Sequence, residues 1–147
     1  MHWGLSVTNV KSFLLCLFIA SSFIATPSCS GPVQNDQSNK DHEAIQGEWE
    51  IVDAESNGVP PPPGMFDHAK FVFSGNKLAL LGKDRTFELD ATKNPKQIDF
   101  KNVGQIGIYE LNGDNLKLCV GPADDRPKEF KTRPRTDHSL FLLRRKR

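Results

Sequence analysis

The sequence predicts an all-β domain: an up-and-down antiparallel β-barrel of about eight short strands with a short N-terminal helical turn. Three observations carry that reading. The run Ile108-Tyr109-Glu110-Leu111-Asn112-Gly113-Asp114-Asn115-Leu116-Lys117-Leu118-Cys119 alternates apolar and polar residues on both sides of an Asn-Gly pair, the strongest short-range signal of a β-hairpin. Strand-like segments recur through about 100 residues with short turns between neighbours, which favours a meander. A flat sheet of that length would leave two raw edges and a bare apolar face, and closure into a barrel removes both. A sandwich is the alternative, but its crossovers need longer connections than most of those present.

Residues 41–46 are expected to make one helical turn. The first strand reads from Gly47-Glu48-Trp49-Glu50-Ile51-Val52-Asp53-Ala54 and stops at the turn pair Asn57-Gly58. Val59-Pro60-Pro61-Pro62-Pro63-Gly64 follows. Prolines lack amide donors, so this stretch cannot sit inside a sheet and reads as a stiff surface loop. Lys70-Phe71-Val72-Phe73, Gly75-Asn76 and Lys77-Leu78-Ala79-Leu80-Leu81 form a second hairpin with a two-residue loop. Gly82-Lys83-Asp84 turns the chain into Thr86-Phe87-Glu88-Leu89-Asp90, and Lys93-Asn94-Pro95-Lys96 turns it again into Gln97-Ile98-Asp99-Phe100. Gln105-Ile106-Gly107-Ile108-Tyr109 and Asn115-Leu116-Lys117-Leu118-Cys119-Val120 are the arms of the Asn-Gly hairpin. After a loop at 121–127, Glu129-Phe130-Lys131 reads as a short strand and Ser139-Leu140-Phe141-Leu142-Leu143-Arg144 as the last.

Residues 1–29 stand apart from this domain. Lys11, a mostly apolar run at 13–25, and then Ser28, Cys29, Ser30 and Gly31 have the order of an export signal. As a helix that run rises only about 20 Å, short of a ~30 Å hydrocarbon core, which disfavours a permanent span. Cys29 after small Ser28 is a candidate lipid acceptor of a bacterial lipoprotein, although Thr26 and Pro27 stand where a Leu-like residue is usual. Ordinary cleavage nearby is the other reading. Residues 30–42, polar apart from Val33, are expected to be a flexible tether. That leaves 43–147 as the barrel. The expected location is the periplasm or envelope if the chain is anchored, otherwise the exterior.

The whole chain carries 19 basic and 18 acidic residues, and losing Lys11 with the leader balances them. No global field is then available for nucleic acid, and the membrane is reached only through an acylated Cys29. Of the cysteines, Cys16 leaves with the leader and Cys29 lies at its border, so no disulfide framework is expected. Cys119 reads as a small apolar strand residue.

Gln46-Gly47-x-Trp49 after a helical turn, with arginines closing the last strand, resembles the lipocalin or calycin arrangement. The resemblance is closer to a family of small exported lipocalin-like domains common in planctomycete bacteria and described only as uncharacterised. It rests on Gln46-Gly47-Glu48-Trp49, Glu55-Ser56-Asn57-Gly58, Leu89-Asp90, Asn94-Pro95-Lys96-Gln97-Ile98-Asp99, Gly107-Ile108-Tyr109-Glu110-Leu111-Asn112-Gly113-Asp114-x-Leu116, Cys119, Arg126-Pro127 and Phe130. The four-proline run is a departure. The resemblance implies that an arginine packs over Trp49 and closes one end of the barrel, with Arg145 the chosen partner and Arg144 the alternative. Such a cation–π contact contributes about 0.5–2 kcal/mol. It implies no reaction.

The expected function is therefore a non-catalytic exported module that binds a small apolar ligand or an envelope protein. Phe71, Phe73, Phe87 and Phe100 are candidate lining residues of a lumen, and Met65 and Phe66 belong to a lid formed by the proline-rich loop. Ile106, Ile108, Leu116 and Leu118 compete for the same interior, so a filled barrel with a structural or protein-interaction role is the alternative. Tyr109 is read as facing outward or capping the wall, Asp114 as satisfying turn amides, and Arg126 as pairing with a nearby acid. An enzyme is a distant third, because Tyr109 and Glu110 fall on opposite faces of their strand. His42, His68 and His138 lack the local spacing of zinc ligands, and no metal or other cofactor is expected.

Overall fold

A computed structural model describes residues 36–147. One helix, α1 (Asp36–Ala44), is followed by eight strands: β1 (Gly47–Ser56), β2 (Lys70–Ser74), β3 (Lys77–Leu80), β4 (Lys83–Asp90), β5 (Lys96–Phe100), β6 (Gln105–Asn112), β7 (Asn115–Pro122) and β8 (Ser139–Arg145). Each strand pairs antiparallel with its neighbours in sequence, and β1 pairs with β8 to close the barrel. The fold class is the one the alternation predicts. Residues 1–29 and Cys29 lie outside the described residues.

Closure follows from the chain's alternation. Inward positions of successive strands carry Trp49, Phe71, Phe73, Leu78, Leu80, Phe87, Ile98, Phe100, Tyr109, Leu116, Leu118 and Leu143, all buried in one apolar cluster. At roughly 25 cal/mol per Å² of apolar surface removed from water, burial of such side chains is the main force rolling up the sheet. A bulge between Ile51 and Asp53 turns Val52 outward and returns Ala54 to the inner face opposite Phe141.

Five readings need correction. The helix begins at Asp36, so 36–42 is not tether. Asp41 reaches into the barrel end, where hydrogen bonds repay the ordering of this polar segment. Second, the hairpin loop is Gly113-Asp114, because Asn112 pairs with Asn115 and the positive φ of 57° falls on Gly113. Third, Leu81 belongs to the β3–β4 turn, where Leu81 and Gly82 adopt φ of 51° and 73°, the pattern of a type I′ hairpin. Fourth, residues 129–131 form no strand. They belong to a long connection that lies over the outer face of β6 and β7, with the Arg126 guanidinium donating to the Gly107 carbonyl at 2.7 Å and to Asp99 at 2.6 Å.

That cover produces the fifth correction. Tyr109 pairs with Leu118 on the inner face, so Ile106 and Ile108 point outward, the latter buried beside Cys119. With both faces of β6 covered, its alternation could not say which was inside. Cys119 is wholly buried, and burial pushes its thiol up to about 11, in keeping with an inert strand residue.

Leu81 is a bulky residue in the left-handed region and 62% exposed, so its side chain gains little from packing. Leu81→Asn is expected to stabilise the fold by about 1 kcal/mol, read as a higher urea midpoint with unchanged slope.

Candidate functional site

The two ends of the barrel differ. At the first, Trp49 and Arg145 are register partners across the β1–β8 seam, and the guanidinium carbon stands 4.3 Å from the indole centroid. Arg144 faces away and is exposed. The indole N–H donates to the Ile45 carbonyl at 2.8 Å, while Arg145 donates to the Gln46 carbonyl at 2.6 Å and to the Ala44 carbonyl. The guanidinium thus satisfies carbonyls at the end of α1, where a cation is also favoured by the helix dipole. Gly47 explains the Gly-x-Trp spacing: its φ is 112°, and a Cβ there would come within 3.2 Å of Arg145.

Asp114 is drawn into this closure and not into the turn. Its carboxylate lies 3.3 Å from Arg145 Nε and 2.7 Å from Arg147, and these arginines hold it below the usual carboxylate range.

Beneath α1 lies a polar cluster that the sequence did not disclose. Asp41 accepts from Tyr109 at 2.7 Å, from Lys96 at 2.6 Å and from Gln37 at 2.8 Å. Burial alone would raise the Asp41 pKa, but the bonds from Lys96, Tyr109 and Gln37 outweigh it and hold the carboxyl below its ordinary value. Burial and the adjacent carboxylate push the Tyr109 hydroxyl far up, so it is a fixed donor. This cluster pins the helix across the barrel end. Lys96 and Tyr109 are 55 and 68 residues from Asp41, beyond the reach of local pattern.

The opposite end carries the groove. After the bulge, Ala54 and Ser56 continue the inner face of β1 opposite Phe141 and Ser139 of β8, with the two serine hydroxyls 3.0 Å apart. The proline-rich loop bends over this rim. Between them lies a groove of about 370 Å³ lined by Val59, Pro60, Pro61, Met65, Phe66 and Phe141, among others. Phe66 meets Phe141 edge-on at 5.9 Å between ring centroids. Val59 and Met65 are 60% and 57% exposed. Prolines hold the loop extended and offer no donors, so the wall they present is stiff and apolar.

Of the candidate lining residues, Met65 and Phe66 come together in this groove, whereas Phe71, Phe73, Phe87 and Phe100 do not reach it. Those four rings are 1–2% exposed, and a hollow lumen large enough for water would leave its lining accessible. They pack on one another instead: Phe73 meets Phe87 edge-on at 5.2 Å, and Phe71 meets Phe141 at 5.2 Å. The expectation that they line a ligand cavity is corrected. Eight short strands enclose a lumen that bulky aromatics fill.

Among the described residues, no cluster of three or more His, Cys, Asp or Glu side chains is arranged to hold a metal ion, and no helix is long and apolar enough to cross a membrane. The fold and its two ends define a closed eight-stranded up-and-down barrel, plugged by a helix at one end and grooved at the other. Comparison with family models, curated proteins and solved structures finds no match.

Two outcomes follow from the closed end. Arg145→Met is expected to destabilise the fold by about 2 kcal/mol, since it removes the cation–π contact and the donors to the half-buried Gln46 carbonyl and the Ala44 carbonyl, and Arg145→Lys should recover only part. Asp41→Asn is expected to lose roughly 1–3 kcal/mol at neutral pH. Because the folded pKa of Asp41 lies below its unfolded value, the carboxylate's contribution is complete above pH ~4 and fades as pH falls through the folded pKa. Urea titrations of both chains between pH 7 and 3 should therefore converge at the acid end.

Proposed function

We propose that the protein is a non-catalytic, exported, lipocalin-like binding module whose site is the groove at the mouth of the barrel. The observation that carries this reading is the groove itself. It is stiff-walled, apolar, open to solvent and of a size at the lower end of small-molecule sites. The filled lumen directs the reading away from the barrel interior, where a lipocalin-like cup would be sought. The Trp49–Arg145 pair, the Gln46-Gly47-x-Trp49 segment and the up-and-down closure support kinship with the small exported lipocalin-like domains of planctomycetes. In this reading residues 1–29 direct export, and Cys29 is the point of anchorage if the chain is acylated.

The second reading, a protein-interaction role in the envelope, draws support from Val59 and Met65, whose exposure on the rim is more than a small ligand requires. Native mass spectrometry of the protein purified from its own host separates the two. A co-purifying small molecule lost from a Met65→Ser/Phe66→Ser variant supports the groove as a ligand site. A bound polypeptide lost from the same variant supports the interaction role, and cargo retained by the variant overturns both. The same spectrum reports the N-terminal mass and any acyl groups on Cys29.

A further inference from the structure

Among the described residues, five large apolar side chains stand exposed: Val52, Val59, Met65, Leu81 and Val103. Val52 is turned out of the wall by the β1 bulge. The other four all belong to connections at one end of the barrel, in the β1–β2 loop, the β3–β4 turn and the β5–β6 turn. The turns at the opposite end, Gly75-Asn76, residues 91–95 and Gly113-Asp114, carry none. Scattered apolar residues on a surface are ordinary, but their confinement to one rim is not.

The structure holds these tips side by side. β2 starts where the proline-rich loop ends, and its Phe71 pairs with Leu80, so the loop leaves the rim beside the Leu81-Gly82 turn. The Asn102 side chain then ties that hairpin to the β5–β6 turn. It accepts from the Thr86 N–H at 2.9 Å and donates to the Asp84 carbonyl at 3.0 Å, which sets Val103 next to the start of β4.

Leu81 is the most telling of them. It takes φ of 51° at the first position of a type I′ turn, where asparagine, aspartate or glycine is favoured, and it is 62% exposed. The backbone strain is not offset by packing, so stability is given up to keep an apolar side chain in solvent.

We propose that this rim docks on a phospholipid bilayer, with Leu81 and Val103 entering the acyl region beside Met65. A stable protein interface buries about 800 Å² per partner around a contiguous apolar core. Here the tips are single residues set among exposed Gly82, Lys83, Asn102 and Gly104. Lys83 and Lys101 each stand two positions from a tip, where an ammonium rests among phosphates while its neighbour enters the apolar layer. Glu88 holds Lys101 at 2.9 Å, and Asp67 and Asp84 share the rim, so apolar insertion carries the contact and charge adds to it. The inference goes beyond the groove reading, because neither Leu81 nor Val103 is among the residues lining the groove.

The test is sedimentation of residues 30–147 with phosphatidylcholine vesicles, with and without phosphatidylglycerol. This form keeps the whole barrel and its helix and omits Cys29, so no acyl chain contributes. Wild type is expected to partition onto both vesicles, more strongly onto the anionic ones. Leu81→Asn and Val103→Asn should each weaken partition by about threefold or more, from the transfer of one apolar side chain. Val52→Asn, on the wall, should leave it unchanged. The urea midpoint of Leu81→Asn should rise while its partition falls, which separates lost docking from lost folding.

A second measurement fixes the orientation. Cys119 is buried, so Leu81→Cys and Asn76→Cys each offer a single accessible thiol for an environment-sensitive dye. The dye should enter an apolar environment on vesicles at position 81 and not at 76. Should Leu81→Asn fail to fold, Val103→Asn and the dye decide. Absence of partition, partition indifferent to both asparagine variants, or equal dye responses at 76 and 81 overturns the bilayer as partner. A dimer that Leu81→Asn dissolves, without partition onto vesicles, overturns it in favour of a second copy of the chain. None of these outcomes bears on the groove's cargo.

Discussion

A rolled sheet holds together only if its first and last strands find each other, and in this barrel the meeting point is Arg145. One guanidinium lies over the Trp49 ring, donates to carbonyls at the end of the helix, and faces the Asp114 carboxylate in the β6–β7 turn. Helix, first strand, last strand and a distant hairpin therefore converge on one side chain. Lysine has the charge but not the plane or the number of donors to serve all four. Gly47 completes the arrangement by leaving room for the guanidinium and by taking a backbone conformation closed to other residues. The seam is thus sealed by geometry as much as by energy.

Closure at that end leaves the two mouths unequal. Around Trp49 the polar groups are matched: the indole N–H has a carbonyl, Tyr109 and Lys96 have Asp41, and Asp114 has two arginines. At the other end the cover is a proline-rich loop that is hydrogen-bonded at its base, where Ser56 and Val59 exchange backbone bonds, and packs its tip on the rim through apolar contacts such as Phe66 against Phe141. Satisfied polar networks fix one arrangement of their members, and at the other end the prolines themselves stiffen the cover. The barrel thus has one end closed by matched polar groups and one end left with an apolar groove.

The sequence disclosed the strands, their order and the closure, because turn chemistry and alternation are local and strong. The resemblance to lipocalin-like domains pointed to Trp49 with Arg145, though parity could not exclude Arg144 where both faces of β8 are apolar. The failures of the sequence reading have separate physical causes. Ile106, Ile108 and Tyr109 were assigned to the wrong sides because the connection after β7 buries the outer face of β6, turning alternation into a continuous apolar run. Leu81 was read as strand because a leucine in a type I′ turn contradicts its own propensity. Asp41 was lost in a polar segment because its partners, Tyr109 and Lys96, come from strands far along the chain. The phenylalanines were correctly placed inward, but a sequence does not report whether an interior is full.

Fullness bears directly on function. Aromatic rings at 71, 73, 87 and 100 occupy the space that a lipocalin-like cup would keep for cargo, and their contacts make the interior a core. A chain shaped for stability alone would extend that core to the rim, where methionine or leucine at position 85 would pack on Leu78 and Phe87 without stranding a charge. Instead the rim holds a guanidinium with a nitrogen left unbonded, at the end of the barrel already set apart by an exposed apolar groove. Unsatisfied polar groups in otherwise well-matched proteins concentrate where stability has been exchanged for recognition. Arg85 and the proline-rich loop are two departures from the pattern of a minimal barrel, and both stand at the end of the barrel opposite the Trp49–Arg145 closure.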